Sequence, residues 1–202
     1  MNDSSNDFIR KIIGEFDKLS YISPEDVPDI ALYMDQITTF IDSRLDACKR
    51  HPDDKILTKT MINNYTKSKL IPPPEKKKYT QDHLLLLIYV YYLKDFLQIS
   101  DIRTLLSPLT DPDPTYRQGK TMLEIYEAAF KLVKSQTDYM TKDLMRRWKM
   151  ARDIYGGGND QEVEYLQVFA FVCLLSFDVY VKKNLIESIV DEISKFEESG
   201  DS

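Results

Sequence analysis

The sequence predicts an all-α protein. Apolar residues recur at three- and four-residue spacing along most of the chain. Prolines fall in short connectors between those stretches. A content of 43 % hydrophobic and 30 % charged residues is ordinary for a soluble globular chain. At 202 residues there is room for one large domain or two small ones, with a sizeable core.

The elements follow in order. Phe8, Ile12, Ile13 and Phe16 are spaced as a helix face, which predicts a helix over 7–19 rather than a signal peptide. "SPEDVPD" is a proline-interrupted connector. A helix over 32–48 sets Met34, Ile37, Phe40, Ile41 and Leu45 on one face, and "KRHPDDK" turns the chain. A short helix follows over 58–68. "PPPEKKK" is extended, because each proline biases its predecessor away from helix. Thr80 reads as an N-cap, with Asp82 at the positive helix end, for a central helix over 81–97. Ser100 caps another helix that ends near "SPL" at 107–109. "SPLTDPDPT" is the strongest boundary signal in the chain. Beyond it, helices are expected over 116–134 and 138–155, with Met140, Leu144, Trp148, Ala151 and Tyr155 as a core or interface stripe. "GGGND" is a turn. The final helix covers 161–196, where Val168, Phe169, Phe171, Val172, Leu174 and Leu175 demand burial nearly all round. The organisation expected is an N-terminal helix and connector (1–28), a domain built around the lysine-bearing stretch (29–109) and a C-terminal helical domain for dimerisation or effector sensing (115–202).

The net charge is −6, yet residues 55–80 hold seven lysines, no arginine and a single acid, Glu75. On the short helix, Leu57, Met61, Ile62 and Tyr65 include the apolar anchors, while Thr60, Asn63, Asn64 and Lys67 share another face. Asparagine pairs bidentately with adenine in the major groove, and threonine reaches base edges or the thymine methyl. That makes Thr60, Asn63, Asn64 and Lys67 the candidate base contacts. Thr58, Lys59, Tyr65, Lys76, Lys77 and Lys78 are the candidate phosphate contacts. Lys59 lies in the first turn, where the macrodipole opposes a cation by roughly 0.3–1 kcal/mol unless an anion sits just beyond the helix end. Lys76, Lys77 and Lys78 form a wing-like loop. A lysine run is also, more ordinarily, a solvated surface, and "PPPEKKK" admits polyproline recognition.

From Thr58 onward the segment resembles the DNA-binding domain of the MerR family of bacterial transcription regulators. Thr58 matches its capping residue and Tyr65 its second tyrosine. Leu70, Ile71 and Pro72 match its helix exit, Tyr79 and Thr80 its later helix start, and Ile99, Ser100, Asp101 and Ile102 its following turn. Asn63 and Asn64 replace an arginine and a tyrosine of that pattern, Lys69 replaces a glycine, and the wing is shorter. From residue 29 to about 109 the chain is similar to an uncharacterised family of Gram-positive bacteria, domain of unknown function family 1836. The stretches that carry it are "LYMDQITTFI", "LTKTMINNYTK" and "KKKYTQDH". The resemblances imply a winged helix-turn-helix and a DNA-binding role.

Other chemistry finds little footing. Cys48 and Cys173 fit no metal or redox spacing. "GKT" at 119–121 lacks the P-loop's earlier glycine, since Pro114 stands there. His51 and His83 have no ligand partners at metal spacing. No side chain has a recognisable catalytic neighbour, so no cofactor, metal or enzyme activity is expected. Lys142, Arg146 and Lys149 read as a solvated face. The apolar run at 168–181 contains Asp178 and is short for a bilayer, so a cytoplasmic protein without a membrane segment is expected. The function expected is a homodimeric transcription regulator that binds double-stranded DNA, with room for a small-molecule effector. The competing reading is a protein-interaction module whose basic face binds an acidic partner.

Overall fold

A computed structural model describes residues 3–16, 21–111, 117–155 and 161–200. Among these residues the chain is mostly helical, with seven α-helices and a single two-stranded sheet. The helices are α1 (Asp3–Phe16), α2 (Met34–Arg44), α3 (Lys59–Lys67), α4 (Gln81–Leu93), α5 (Ile99–Thr110), α6 (Met122–Ile154) and α7 (Gln161–Gly200). The strands β1 (Leu32–Tyr33) and β2 (Lys78–Tyr79) pair antiparallel, Leu32 with Tyr79 and Tyr33 with Lys78. Residues 112–115 of the expected "SPLTDPDPT" connector and the turn at 156–160 lie outside the described residues.

Several boundaries differ from the expectation for identifiable reasons. Leu32 and Tyr33 are strand, not helix. Tyr33 is extended at φ −79° and ψ 160°, and its N–H donates to Gln36 Oε1 at 2.8 Å, which starts α2 at Met34, two residues later than expected. α2 stops at Arg44, where a 3-10 turn over Asp46–Cys48 takes over. Lys49 clamps that turn by donating to Asp42 at 3.0 Å and Asp46 at 2.9 Å. α4 ends at Leu93. Gln98, not Ser100, caps α5, its N–H donating to Asp101 Oδ2 at 3.1 Å. α5 runs through Pro108 to Thr110; the Thr104 carbonyl that proline leaves without an amide accepts from Ser107 Oγ at 3.1 Å. The helices expected over 116–134 and 138–155 are one, α6, because Ser135 and Thr137 are mediocre helix formers, Gln136 is a good one, and none of the three is a breaker. Thr121 and Glu124 cap its start reciprocally, at 2.7 and 3.2 Å, which accounts for the threonine of "GKT".

The chain divides into two compact units within α6, between Lys131 and Leu132, and not at the proline-rich connector. The first unit, Ser20–Lys131 with Leu185–Ser202, has α4 at its centre. Leu84 to Ile88 are buried on every side of that helix, among Ile37, Ile41, Ile62, Ile71 and Ile102. A tyrosine layer closes one edge. Tyr126 Oη donates to the Ile22 carbonyl at 2.5 Å, and Tyr92 Oη accepts from the Ile22 N–H at 3.3 Å. Burial raises the pKa of Tyr92 and Tyr126, and pushes Tyr91 up to about 12. Tyr126 is buried in the core, and Tyr91 and Tyr92 pack against it partly buried.

In the second unit, Met1–Leu19 with Leu132–Asn184, Ile9 and Ile13 of α1 pack with Trp148, Ala151 and Phe171. Trp148 and Phe171 meet edge to face at 5.5 Å. Leu144 joins them half-buried, but Met140 and Tyr155 of the expected stripe are exposed. Of the apolar residues expected to be buried on α7, Phe171 is; Val168, Leu174 and Leu175 are partly covered, while Phe169 is 52 % and Val172 50 % exposed. Glu162–Lys195 within α7 is long and apolar enough to cross a membrane by length and composition, with 11 % of its most apolar window buried.

Candidate nucleic-acid interface

α3 is amphipathic by construction. Its N-cap, Thr58, accepts from the Met61 N–H at 3.2 Å, which satisfies one of the orphan amides of the first turn. Ile62 and Tyr65 are buried and Met61 packs beside them. The opposite face presents Thr60, Asn63, Asn64 and Lys67, all four exposed. The four expected base contacts therefore share one free surface on a helix anchored from behind. Tyr65 does not belong with the phosphate contacts: its ring is 7 % exposed and belongs to the core, where burial raises its pKa.

Lys59 also departs from expectation. It forms an ion pair with Asp35 in the first turn of α2, so a carboxylate of this chain supplies the counter-charge that a phosphate was expected to supply. The same accounting covers the other acids of that region. Lys49 holds Asp42 and Asp46, and Arg44 holds Asp26 at 3.1 Å. Between α2 and the start of α3 lies an open groove of about 630 Å³, lined by Thr38, Thr39, Asp42, Ser43, Lys55 and Thr60 among others.

The end of α3 is closed by a Schellman motif. The Lys69 N–H donates to the Thr66 carbonyl at 3.1 Å and the Leu70 N–H to the Tyr65 carbonyl at 2.9 Å. Lys69 takes the left-handed position, φ 58°, where glycine is the usual residue. The loop that follows repeats the choice. The Lys78 N–H donates to the Glu75 carbonyl at 2.8 Å across a two-residue turn whose central residues, Lys76 and Lys77, have φ of 47° and 65°. Positive φ at both centres is the type I′ pattern, for which Asn-Gly is the favourable pair. Left-handed backbone costs a side-chain-bearing residue roughly 1–2 kcal/mol. Lysine thus stands at three positions where glycine or asparagine would be cheaper. All three are exposed, and no ion pair to Lys67, Lys69, Lys76 or Lys77 occurs among the described residues.

The loop is joined to the helices. Lys78 lies over the Tyr33 ring at 5.4 Å, and Tyr33 both pairs with Lys78 and caps α2. Two residues on, Asp35 reaches Lys59. A continuous path therefore runs from the lysine turn through the start of α2 to the start of α3. At the foot of the loop, His83 caps α4: its Nδ1 accepts from the Thr80 N–H at 3.1 Å and lies 2.7 Å from Thr80 Oγ1. The imidazole is buried and its Nε2 has no hydrogen-bond partner of good geometry; burial lowers its pKa. Read from the sequence, His83 is weighed only as a metal ligand, although the Thr80-x-x-His83 spacing is that of a capping box. Among the described residues no group of three or more His, Cys, Asp or Glu side chains is placed to hold a metal ion.

Fold and surface together define a small helical domain with a lysine-bearing turn beside an exposed polar helix. The chain belongs to the family described as Domain of unknown function (DUF1836), whose model matches residues 22–129. That span runs about twenty residues beyond the resemblance read from the sequence and coincides closely with the main segment of the first compact unit, Ser20–Lys131. No curated protein and no solved structure matches the chain.

Proposed function

We propose that the protein binds duplex DNA and regulates transcription in the cytoplasm. In this reading α2 and α3 are a MerR-like helix-turn-helix, α3 is the recognition helix, and the Lys76–Lys77 turn is a short wing. One observation carries it. Thr60, Asn63, Asn64 and Lys67 form an exposed face on a core-anchored helix, flanked by lysines held in left-handed backbone at its C-terminal end and in the adjoining turn. In helix-turn-helix proteins the side chains that read base edges project from a helix laid in the groove, and those that meet phosphates flank it. Backbone strain retained at exposed cationic positions fits a surface kept for binding.

The roles follow from placement. Asn63 and Asn64 read base edges, Thr60 and Lys67 extend that contact, and Lys69, Lys76 and Lys77 bind backbone phosphates. Asp35 holds Lys59 in place at the helix start. The experiment is fluorescence anisotropy against a random-sequence duplex at low and at physiological salt. Release of counterions by three to four phosphate contacts gives a log–log slope of about −3 to −4. Binding that is absent at both salts, with affinity for an acidic polypeptide instead, transfers the lysine face to the protein-interaction reading.

A further inference from the structure

We infer that two copies of the chain pair through the outward face of α7, antiparallel about a two-fold axis near Cys173. Opposite the inward-facing Phe171, α7 presents Leu166, Phe169, Cys173, Phe177 and Tyr180, with Val172 at the edge of this face, all exposed. From Tyr165 to Tyr180 this face carries no charged residue. Leu166, Cys173 and Tyr180 fall seven residues apart, with Phe169 and Ser176 three residues after the first two. This is the heptad spacing of a helix made to pack against another helix. Inward, the same stretch already packs Phe171 against Trp148, so α7 has two apolar faces and its own unit covers one.

The extent of the face fits a second copy. Tyr165, Phe169, Phe177 and Tyr180 are 52–69 % exposed, and together offer roughly 500 Å². The residues between them bring the face near the roughly 800 Å² per partner of a stable pair. It also exceeds the apolar patch ordinary on a monomer. Charge sets the direction. Glu162 and Glu164 mark one end of the face, Lys182 and Lys183 the other. Antiparallel pairing centred on Cys173 places each acidic end beside the basic end of the second copy, and Leu166 against its Tyr180. Parallel pairing would set like charges together. A bilayer is a poorer occupant. Asp178, held by Arg147 at 3.4 Å and by Lys182 at 2.7 Å, lies midway along the apolar helix and would take its charges into the hydrocarbon.

This inference does not rest on the DNA-binding reading, and its test contains no DNA. The full chain is measured by sedimentation equilibrium at micromolar concentration, beside Phe169→Glu and Phe177→Glu, with circular dichroism as the control for folding. The parent sediments at twice the chain mass. Each charged variant raises the dissociation constant roughly 100-fold or more. In a Cys48→Ser, Cys173→Ser background, Leu166→Cys mixed with Tyr180→Cys forms an oxidative cross-link that neither forms alone; this arm stands even if the charged variants misfold. A monomeric parent, cross-links formed by either cysteine variant alone, or flotation of the parent with phosphatidylglycerol vesicles overturns the proposal.

Discussion

Lys59 in the first turn of α3 is ion-paired with Asp35 in the first turn of α2, which ties together the starts of the two helices that bear the candidate interface. Both side chains are largely exposed, so the pair contributes little to stability, about 0–1 kcal/mol. Its consequence is electrostatic: it masks one cation at the edge of the lysine surface. Asp35→Asn is expected to leave the urea midpoint nearly unchanged, to tighten binding to any duplex, and to steepen the salt slope by about one. Anisotropy titrations at two salts read this directly. An unchanged slope would place Lys59 away from the bound phosphates.

The left-handed lysines give a test with opposite signs. Lys69→Gly, and Lys76→Asn combined with Lys77→Gly, remove backbone strain at φ 58°, 47° and 65°. Each relieved position is expected to stabilise the fold by about 0.5–1 kcal/mol, read as a higher denaturant midpoint at constant slope. The same variants are expected to bind DNA more weakly and with a shallower salt dependence. A loss of both stability and affinity would mean that the lysines are held by packing and not kept for binding.

His83 sets a pH dependence. Its folded pKa is lowered from 6.5, burial being the largest cause. The unfolded chain therefore takes up the proton first, and stability rises with pH through this window. The contribution is complete above about pH 6.5 and is lost as pH falls from there through the folded value. Protonation at Nδ1 also removes the acceptor for the Thr80 N–H, which loosens the start of α4 beneath the lysine turn. Urea midpoints from pH 7.5 down to 5.5 are expected to fall in the parent and to fall less in His83→Gln. Equal slopes in the two proteins would exclude the imidazole as the cause.

The parts of this picture legible in the sequence are those governed by neighbours in the chain. α3 and its caps follow from Thr58, from the spacing of Met61, Ile62 and Tyr65, and from the prolines beyond Ile71. The polar face of Thr60, Asn63, Asn64 and Lys67 follows from the same periodicity. Features decided by distant partners were not legible. Leu32 and Tyr33 continue the apolar pattern of α2, and only pairing with Tyr79 and Lys78 makes them strand. Lys59 looked free because Asp35 lies 24 residues away. The two-residue turn at Lys76 and Lys77 contains no glycine or asparagine, so nothing local announces it. The division of the compact units between Lys131 and Leu132 falls within α6, where no proline or glycine marks the sequence.

The most direct measurement is an affinity matrix. Duplexes selected by the parent from a random library are titrated, beside unselected duplex, with Asn63→Ala, Asn64→Ala and Lys77→Ala. Met61, Ile62 and Tyr65 keep α3 packed in all three, so each is expected to remain folded by circular dichroism. If α3 reads bases, each asparagine variant loses roughly 1–3 kcal/mol on the selected duplex and little on the unselected one. Lys77→Ala weakens both alike and lowers the salt slope by about one. Folded variants that all bind both duplexes as the parent does would contradict the account, and would leave the lysine surface to a partner other than DNA.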